Sequence, residues 1–135
     1  MSVGLLILTH SNIGQTLYDT AIAVIGSATL TTRVLVASMD CDTDEMHQLV
    51  QVNLQKLNTG QGVLILTDMY GATPSNIVAE FLNPDRILVS GINLPMLVRI
   101  MNYPNLELSK LAEKAISGGQ EGILAVSTKN IKETC

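Results

Sequence analysis

Two similar aliphatic segments of the chain each end in threonine and are followed by one ionisable residue. His10 follows Leu5–Thr9, and Asp68 follows Val63–Thr67. A carboxylate that bonds one imidazole nitrogen fixes the tautomer of the ring and leaves the other nitrogen free as a base or a nucleophile. If the fold brings the two side chains together, they would supply an oriented nucleophile.

Small and hydroxyl-bearing residues follow both ionisable residues, where helices are expected to begin. Gly71 would let the backbone approach a ligand closely, and Thr73 can add a hydroxyl donor. Ser11 and Ser75 are further candidate contacts. Helix N-termini present unpaired N–H groups and the positive end of a dipole. Together these features favour a phosphoryl group carried on His10.

Simpler structural roles stay open for the same residues. A histidine after a buried strand can cap the next helix, and an aspartate can satisfy backbone N–H groups in a turn. His47 lies on the polar side of an amphipathic pattern and is predicted to be solvated surface. The acidic residues close to it fit a solvated helix N-terminus better than a metal site. They are Asp40, Asp42 and Asp44.

The motifs of common cofactors are missing from the sequence. There is no Walker motif and no G-x-G-x-x-G sequence, so neither ATP nor a dinucleotide is indicated. Cys41 and Cys135 are far apart, and neither has the close partner of a zinc or redox motif. We predict that both are free thiols and that the site uses no metal and no cofactor.

Short aliphatic runs, of the kind found in strands that are buried on both faces, predict five strands. They are Val3–Thr9, Val34–Ser38, Val63–Thr67, Arg86–Val89 and Ile123–Val126. Helical spacing and capping signals predict the helices between them. These are Ile13–Ile25, a helix that follows Asp42 and closes at Gly60, Thr73 (as N-cap) to about Leu82, Pro95–Met101 and Leu106–Ser117.

This alternation predicts an α/β fold, with a parallel sheet, right-handed crossovers and helices on both faces. In a flavodoxin-like strand order of 2-1-3-4, strands one and three are neighbours at the switch point where ligands bind. His10 and Asp68 would then face each other at the mouth of the crevice.

The composition narrows the class of protein. The 135 residues fit one domain, 1–135, and 47% of them are hydrophobic while only 3% are aromatic and 15% charged. A formal net charge of −4 leaves no basic field for nucleic acid. No apolar run reaches the roughly 20 residues that span a bilayer, and no basic segment precedes the first apolar stretch. We expect a cytoplasmic protein with an aliphatic core.

Three segments in order resemble the IIA component of the mannose-type sugar phosphotransferase system (PTS). They are Leu5–Gln15, which contains Thr9-His10-Ser11, the loop Asp68–Asn76, and Gly91–Met96. The resemblance covers essentially the whole chain, including Glu121-Gly122. It implies a three-layer α/β/α fold and a phosphotransferase that works through a phosphohistidine.

The resemblance also implies a role for each site residue. His10 would accept a phosphoryl group from the carrier protein HPr and pass it to a histidine on a IIB partner. Asp68 would pair with the other ring nitrogen and leave Nε2 as the acceptor. Loop amides and a hydroxyl, here those of Gly71, Ala72 and Thr73, would contact the phosphoryl group. Neither metal nor nucleotide is implied.

A homodimer is implied as well, with a short antiparallel C-terminal strand, at about residues 121–127, exchanged between subunits. Many relatives carry a IIB domain after a linker, whereas we expect this chain to bind a separate IIB protein. We expect contact with the membrane to be indirect, through the IIC and IID components. Where the family often has Trp-Gly-Gly-Ser-Pro, this chain has Tyr70-Gly71-Ala72-Thr73-Pro74. This departure bears on the choice of partner.

Three other functions stay open on sequence grounds. The chain could be the phosphoryl donor of a PTS-dependent dihydroxyacetone kinase, or a regulator that is read through the phosphorylation state of His10. More remotely, it could be a receiver domain phosphorylated on Asp68, although receivers need acidic Mg²⁺ ligands where this chain has Thr9-His10. The sequence does not identify the sugar.

Overall fold

In the computed structural model, which describes residues 2–38 and 42–128, strands and helices alternate along most of the chain. The strands are β1 (Gly4–His10), β2 (Thr32–Ala37), β3 (Val63–Thr67) and β4 (Arg86–Ser90). The helices are α1 (Ile13–Ile25), α2 (Thr43–Leu57), α3 (Thr73–Ala79), α4 (Leu94–Met101) and α5 (Leu108–Glu121).

The four strands form a parallel sheet in the order β2-β1-β3-β4, which confirms the predicted topology. β1 and β3 are the central strands, and their last paired residues are Leu8 and Thr67. His10 and Asp68 therefore leave the sheet side by side, at the carboxyl ends of neighbouring strands.

Two apolar clusters cover the two faces of this sheet. Leu5 and Ile7 of β1 pack in the cluster that includes α1, α4 and α5, whereas Leu6 and Leu8 pack in the cluster that includes α2 and α3. All four side chains are fully buried. Burial on both faces explains why β1 is a continuous aliphatic run and does not alternate with polar residues.

The beginning and end of α3 differ from the prediction. The N-cap is Ala72, whose backbone is extended, and Thr73 and Pro74 lie in the first turn of the helix. The prediction of Thr73 as the N-cap is therefore wrong, and α3 ends at Ala79, before Leu82. A threonine just before a proline is a good capping signal. Here Gly71, with a φ of 84°, completes the turn one residue earlier.

α5 runs further than predicted, through two glycines that would be expected to end it. Gly118 and Gly119 are buried and face α4. A Cβ on Gly118 would lie 2.5 Å from the Cβ of Arg99, so a side chain there would push the two helices apart. These glycines allow the close approach of α4 and α5, and that packing keeps them helical.

The predicted last strand, Ile123–Val126, is not part of the sheet. Residues 123–127 have no regular secondary structure and are exposed. The prediction concerned pairing with a second chain, so it stays a prediction. Asp40, Cys41 and Cys135 lie outside the described residues.

His47 makes more contacts than a solvated surface residue would. It lies on α2 with its side chain 27% exposed, and its ring lies 5.7 Å from the ring of Phe81. Nδ1 faces the carbonyl oxygen of Thr43, and Nε2 faces the carboxylate of Glu80, just beyond α3. Both neighbours are acceptors, so the ring satisfies both only when it is protonated. The Thr43 carbonyl and then the Glu80 carboxylate raise the pKa of His47, against the effect of burial.

This contact should make stability depend on pH. The folded-state pKa of His47 lies above the value of 6.5 for a free histidine, so the contribution is present below 6.5 and lost as the pH rises through the folded pKa. We expect His47→Gln to lower the free energy of unfolding more at about pH 5.5 than at about pH 9. Urea denaturation of both proteins at both pH values measures this, with Glu80→Gln as the control for the partner. A difference that does not change with pH would exclude the protonated pair.

Candidate functional site

His10 and Asp68 are in direct contact where the central strands end. The backbone pairing of β1 and β3 stops at Leu8 and Thr67. Just beyond it, Oδ2 of Asp68 accepts the backbone N–H of His10 at 3.2 Å and lies 2.8 Å from Nδ1 of the imidazole. One carboxylate oxygen thus holds both the main chain and the side chain of His10.

This contact bears on the ionisation of Asp68 and on the tautomer of a neutral His10 ring. Burial raises the pKa of the Asp68 carboxyl, but hydrogen bonds from the ring and the amide of His10 and from its own loop outweigh it, so the pKa lies below its usual value. The ionised carboxylate is an acceptor only, so the proton of the neutral imidazole must be on Nδ1. Nε2 then carries the lone pair, and the His10 side chain is 34% exposed. The arrangement is that of a nucleophile that a partner can reach.

The turn from β1 into α1 is held by the hydroxyl of Thr9. This buried oxygen accepts the N–H of Gly14 at 2.9 Å and donates to the carbonyl oxygen of His10 at 3.1 Å. Asn12 is the N-cap of α1, but its side chain makes no capping bond. Within the turn Ser11 has a φ of 49°, in the left-handed region that non-glycine residues seldom adopt.

The loop from β3 into α3 is held from within by Ser75. Its hydroxyl accepts the N–H of Gly71 at 2.8 Å and donates to the carbonyl oxygen of Ala72 at 3.2 Å. With only 2% of its surface exposed, Ser75 shapes the loop and does not offer its hydroxyl to a ligand. The Gly71 amide is occupied by this bond, so it would reach a ligand only after the loop adjusts.

Thr73 is the predicted loop contact that is most open to a ligand. The residue is exposed, and within residues 2–38 and 42–128 neither its amide nor its hydroxyl has a hydrogen-bond partner. Ser11, on the other side of the crevice, is exposed as well. The structure therefore leaves a predicted donor-bearing residue exposed on each of the two loops, Ser11 on one and Thr73 on the other.

The electrostatic setting suits an anion. α1 and α3 both begin just beyond the pair, and neither has an acidic residue in its first turn. No carboxylate in the first turn of either helix therefore offsets its positive dipole end. In the described part of the chain no group of three or more His, Cys, Asp or Glu side chains could hold a metal ion. In that same part, no helix is long and apolar enough to cross a membrane.

Exposed apolar side chains come from both loops that hold the pair. Ile13 opens α1, and Met69 and Tyr70 follow Asp68; Tyr70 is 83% exposed. Apolar side chains around a reachable nucleophile suit contact with another protein.

Sequence reasoning gave no role to Thr9 or Gly14. The only signal was that both aliphatic segments end in threonine. The two threonines differ in the structure, because Thr67 donates to Ser90 Oγ at 3.0 Å whereas Thr9 bonds the residue that follows it and the next helix.

Comparison with known proteins shows which family this chain resembles. The family model described as the PTS system fructose IIA component, EIIA-man, matches residues 4–116. The mannose-specific EIIAB component of the PTS from Escherichia coli (strain K12) is 26% identical over 138 residues. That alignment covers 98% of this chain and 42% of the relative, so the chain spans less than half the length of the curated relatives that it matches.

Solved structures show the same fold. The mannose/sorbose specific IIA subunit of the phosphotransferase system from Enterococcus faecalis has a TM-score of 0.83 at 18% identity, with 94% of this chain and 96% of that chain covered. The PTS IIA protein associated with the fucose utilization operon from Streptococcus pneumoniae has a TM-score of 0.80 at 24% identity, with 96% and 98% covered.

Proposed function

The chain belongs to the EIIA-man family of PTS IIA components, and from that premise we propose that it carries a phosphoryl group on Nε2 of His10. One observation carries the proposal: Asp68 holds Nδ1 of His10 at 2.8 Å at the meeting point of the two central strands. Because an ionised carboxylate only accepts, that contact supports a neutral ring with its proton on Nδ1 and Nε2 as the proposed nucleophile.

In the proposed reaction, phosphorylated HPr donates the group. The lone pair of Nε2 attacks phosphorus while the bond from phosphorus to the donor nitrogen breaks. The electron pair of that bond stays on the donor nitrogen, so a donor ring that is protonated on its other nitrogen leaves as neutral imidazole, and the proton of His10 stays on Nδ1. The ring gains positive character as the new bond forms, and the Asp68 carboxylate stabilises it. Positioning and dipoles supply most of the catalysis in phosphoryl transfer, which suits a site built from two loops and two helix N-termini.

The phosphoryl oxygens would be held by the two loops. Thr73 is exposed, and its amide and hydroxyl have no hydrogen-bond partner among the described residues, so they are the donors that need no rearrangement. Gly71 and Ala72 would add their amides if the loop adjusts when the group arrives, since the Gly71 amide now donates to Ser75 Oγ and the Ala72 amide to the carbonyl oxygen of Met69. Ser11 is a candidate donor from the other loop.

We propose that the group then passes to a histidine on a IIB partner, in the cytoplasm, as a step of sugar uptake. The relatives named as EIIAB components support this direction, because their name joins a IIA to a IIB part. Met69 and Tyr70, both exposed beside Asp68, are proposed contacts for the partner. We propose in addition that this IIB partner is a separate protein.

The test is to incubate the protein with phosphoenolpyruvate and the general PTS proteins and to measure its mass. We expect one added phosphoryl group, lost in acid and retained in alkali, as for a phosphohistidine. A group lost in both acid and alkali would be an acyl phosphate on a carboxylate and would favour the receiver function. No added mass would contradict the proposal.

We also propose that the chain forms a homodimer in which residues 123–127 pair with the sheet of the other subunit; the expected start near residue 121 moves because α5 ends at Glu121. Ile123, Leu124 and Val126 are exposed at 76%, 71% and 66%, which is unusual for three neighbouring aliphatic residues. β4 is an edge strand, and in the described chain only β3 pairs along it. We expect light scattering to give the mass of two chains, and Leu124→Asp to shift it towards one. A single-chain mass for the unaltered protein would exclude the dimer.

A further inference from the structure

We propose that Thr9 is a positioning residue for His10 and that its hydroxyl sets the direction in which the imidazole leaves the backbone. This inference rests on the proposed function, since positioning matters only if His10 reacts. Thr9 itself is fully buried and cannot touch a ligand or a partner.

The first step of the argument is that His10 is clamped on both sides. Its N–H donates to Asp68 Oδ2 at 3.2 Å, which fixes the peptide group before it. Its carbonyl oxygen accepts the Thr9 hydroxyl at 3.1 Å, which fixes the peptide group after it. With both peptide groups held, the bond from Cα to Cβ has one direction, and Nδ1 is aimed at the carboxylate.

The second step is that the same hydroxyl ties His10 to α1. It accepts the N–H of Gly14, the second residue of the helix, in place of the capping bond that Asn12 does not make. A Cβ on Gly14 would lie 3.0 Å from Thr9 Oγ1 and 2.7 Å from Ile7 Cγ2, so glycine allows this close approach. One oxygen thus couples the end of β1, the carbonyl of His10 and the start of α1.

The third step is the strained backbone between these points. Ser11 is the one non-glycine residue with a positive φ in the described part of the chain. Such a conformation persists where the surrounding structure enforces it. The Thr9 bonds span Ser11 from both sides, so their loss should let the turn relax and His10 swing away from Asp68.

The test compares three variants with the unaltered protein. Thr9→Val keeps the shape and removes the hydroxyl, Thr9→Ser keeps the hydroxyl, and Thr67→Val removes the matched buried hydroxyl at the end of β3, which bonds Ser90. ¹⁵N NMR of the His10 ring reports the share of the Nδ1–H tautomer, and kinetics with phosphorylated HPr report kcat and KM.

In Thr9→Val we expect a smaller share of the Nδ1–H tautomer and a kcat lowered about tenfold to a hundredfold, because a misplaced reacting group costs that much. KM should not change, because the partner cannot reach Thr9. Thr9→Ser should keep the tautomer share and the kcat of the unaltered protein, and Thr67→Val should leave the tautomer unaltered. If Thr9→Val does not fold, Thr9→Ala makes the same comparison with Thr9→Ser.

Two results would overturn the proposal. One is an unaltered His10 tautomer and kcat in a folded Thr9→Val or Thr9→Ala protein. The other is a Thr9→Ser protein as impaired as Thr9→Val, which would assign the effect to the lost methyl group. The NMR measurement needs no phosphoryl donor, so it tests the positioning of His10 even if the unaltered protein is never phosphorylated. That lack of phosphorylation would refute the proposed function and not the role of Thr9.

Discussion

His10→Ala should accept no phosphoryl group from phosphorylated HPr, a loss of at least about a thousandfold in rate. The variant removes the imidazole that Asp68 orients, and among the described residues no other side chain is hydrogen-bonded to that carboxylate. The His10 side chain is partly exposed, so its removal should leave the fold intact. Mass spectrometry after incubation with phosphoenolpyruvate and the general PTS proteins measures the loss.

The chain offers a matched control, because it has two histidines. His47 is bonded through both ring nitrogens to Thr43 and Glu80. His47→Ala should therefore accept phosphate at the rate of the unaltered protein. If His10→Ala is phosphorylated as fast as the unaltered protein, His10 is not the acceptor. If His47→Ala stays folded but is no longer phosphorylated, His10 is likewise not the sole site required and the proposal is contradicted.

The parts of the fold that follow from local pattern could be predicted from the sequence. Strands buried on both faces need continuous aliphatic runs, and Val63–Thr67 is such a run with the bounds that the structure shows. The order of the strands was predicted from the flavodoxin-like pattern of alternating strands and helices, and that order brings His10 and Asp68 together. The place of the candidate site in the fold could therefore be predicted from the strand order.

The parts that depend on close approach in space could not be predicted in this way. Gly118 reads as a helix terminator, and only its contact with Arg99 shows why the helix continues. The sequence predicts Ser75 as a ligand contact, but its hydroxyl is hydrogen-bonded within its own loop, to Gly71 and Ala72. The hydroxyl of Thr9 gains its meaning from Gly14, five residues later. In each case the partner is set by packing and not by spacing along the chain.

Asp68→Asn should leave a folded protein whose phosphorylation is slowed between about a hundredfold and ten-thousandfold. Asparagine keeps the shape of the side chain, but its amide can donate a hydrogen bond as well as accept one. If its NH₂ faces Nδ1, the ring proton moves to Nε2 and the nucleophilic lone pair is lost. If its oxygen faces Nδ1, the tautomer is kept, but the negative charge that stabilises the phosphorylated ring is gone.

The loss of the carboxylate should also alter the dependence of stability on pH. The folded-state pKa of Asp68 lies below the value of 3.8 for a free aspartate, so its contribution is present above 3.8 and lost as the pH falls through the folded pKa. The difference in the free energy of unfolding between the unaltered protein and Asp68→Asn should therefore shrink in acid. Urea denaturation at a series of acidic pH values measures this.

Asp85→Asn is the matched control for both measurements, because Asp85 is exposed at the opposite end of the sheet, just before β4. It should be phosphorylated at the rate of the unaltered protein. Slowed transfer in Asp68→Asn alone, together with ¹⁵N signals that show a proton on Nε2, would assign the effect to the tautomer. Slowed transfer with the proton still on Nδ1 would assign it to the lost charge. Unchanged kinetics would leave Asp68 only a structural role in the turn after β3.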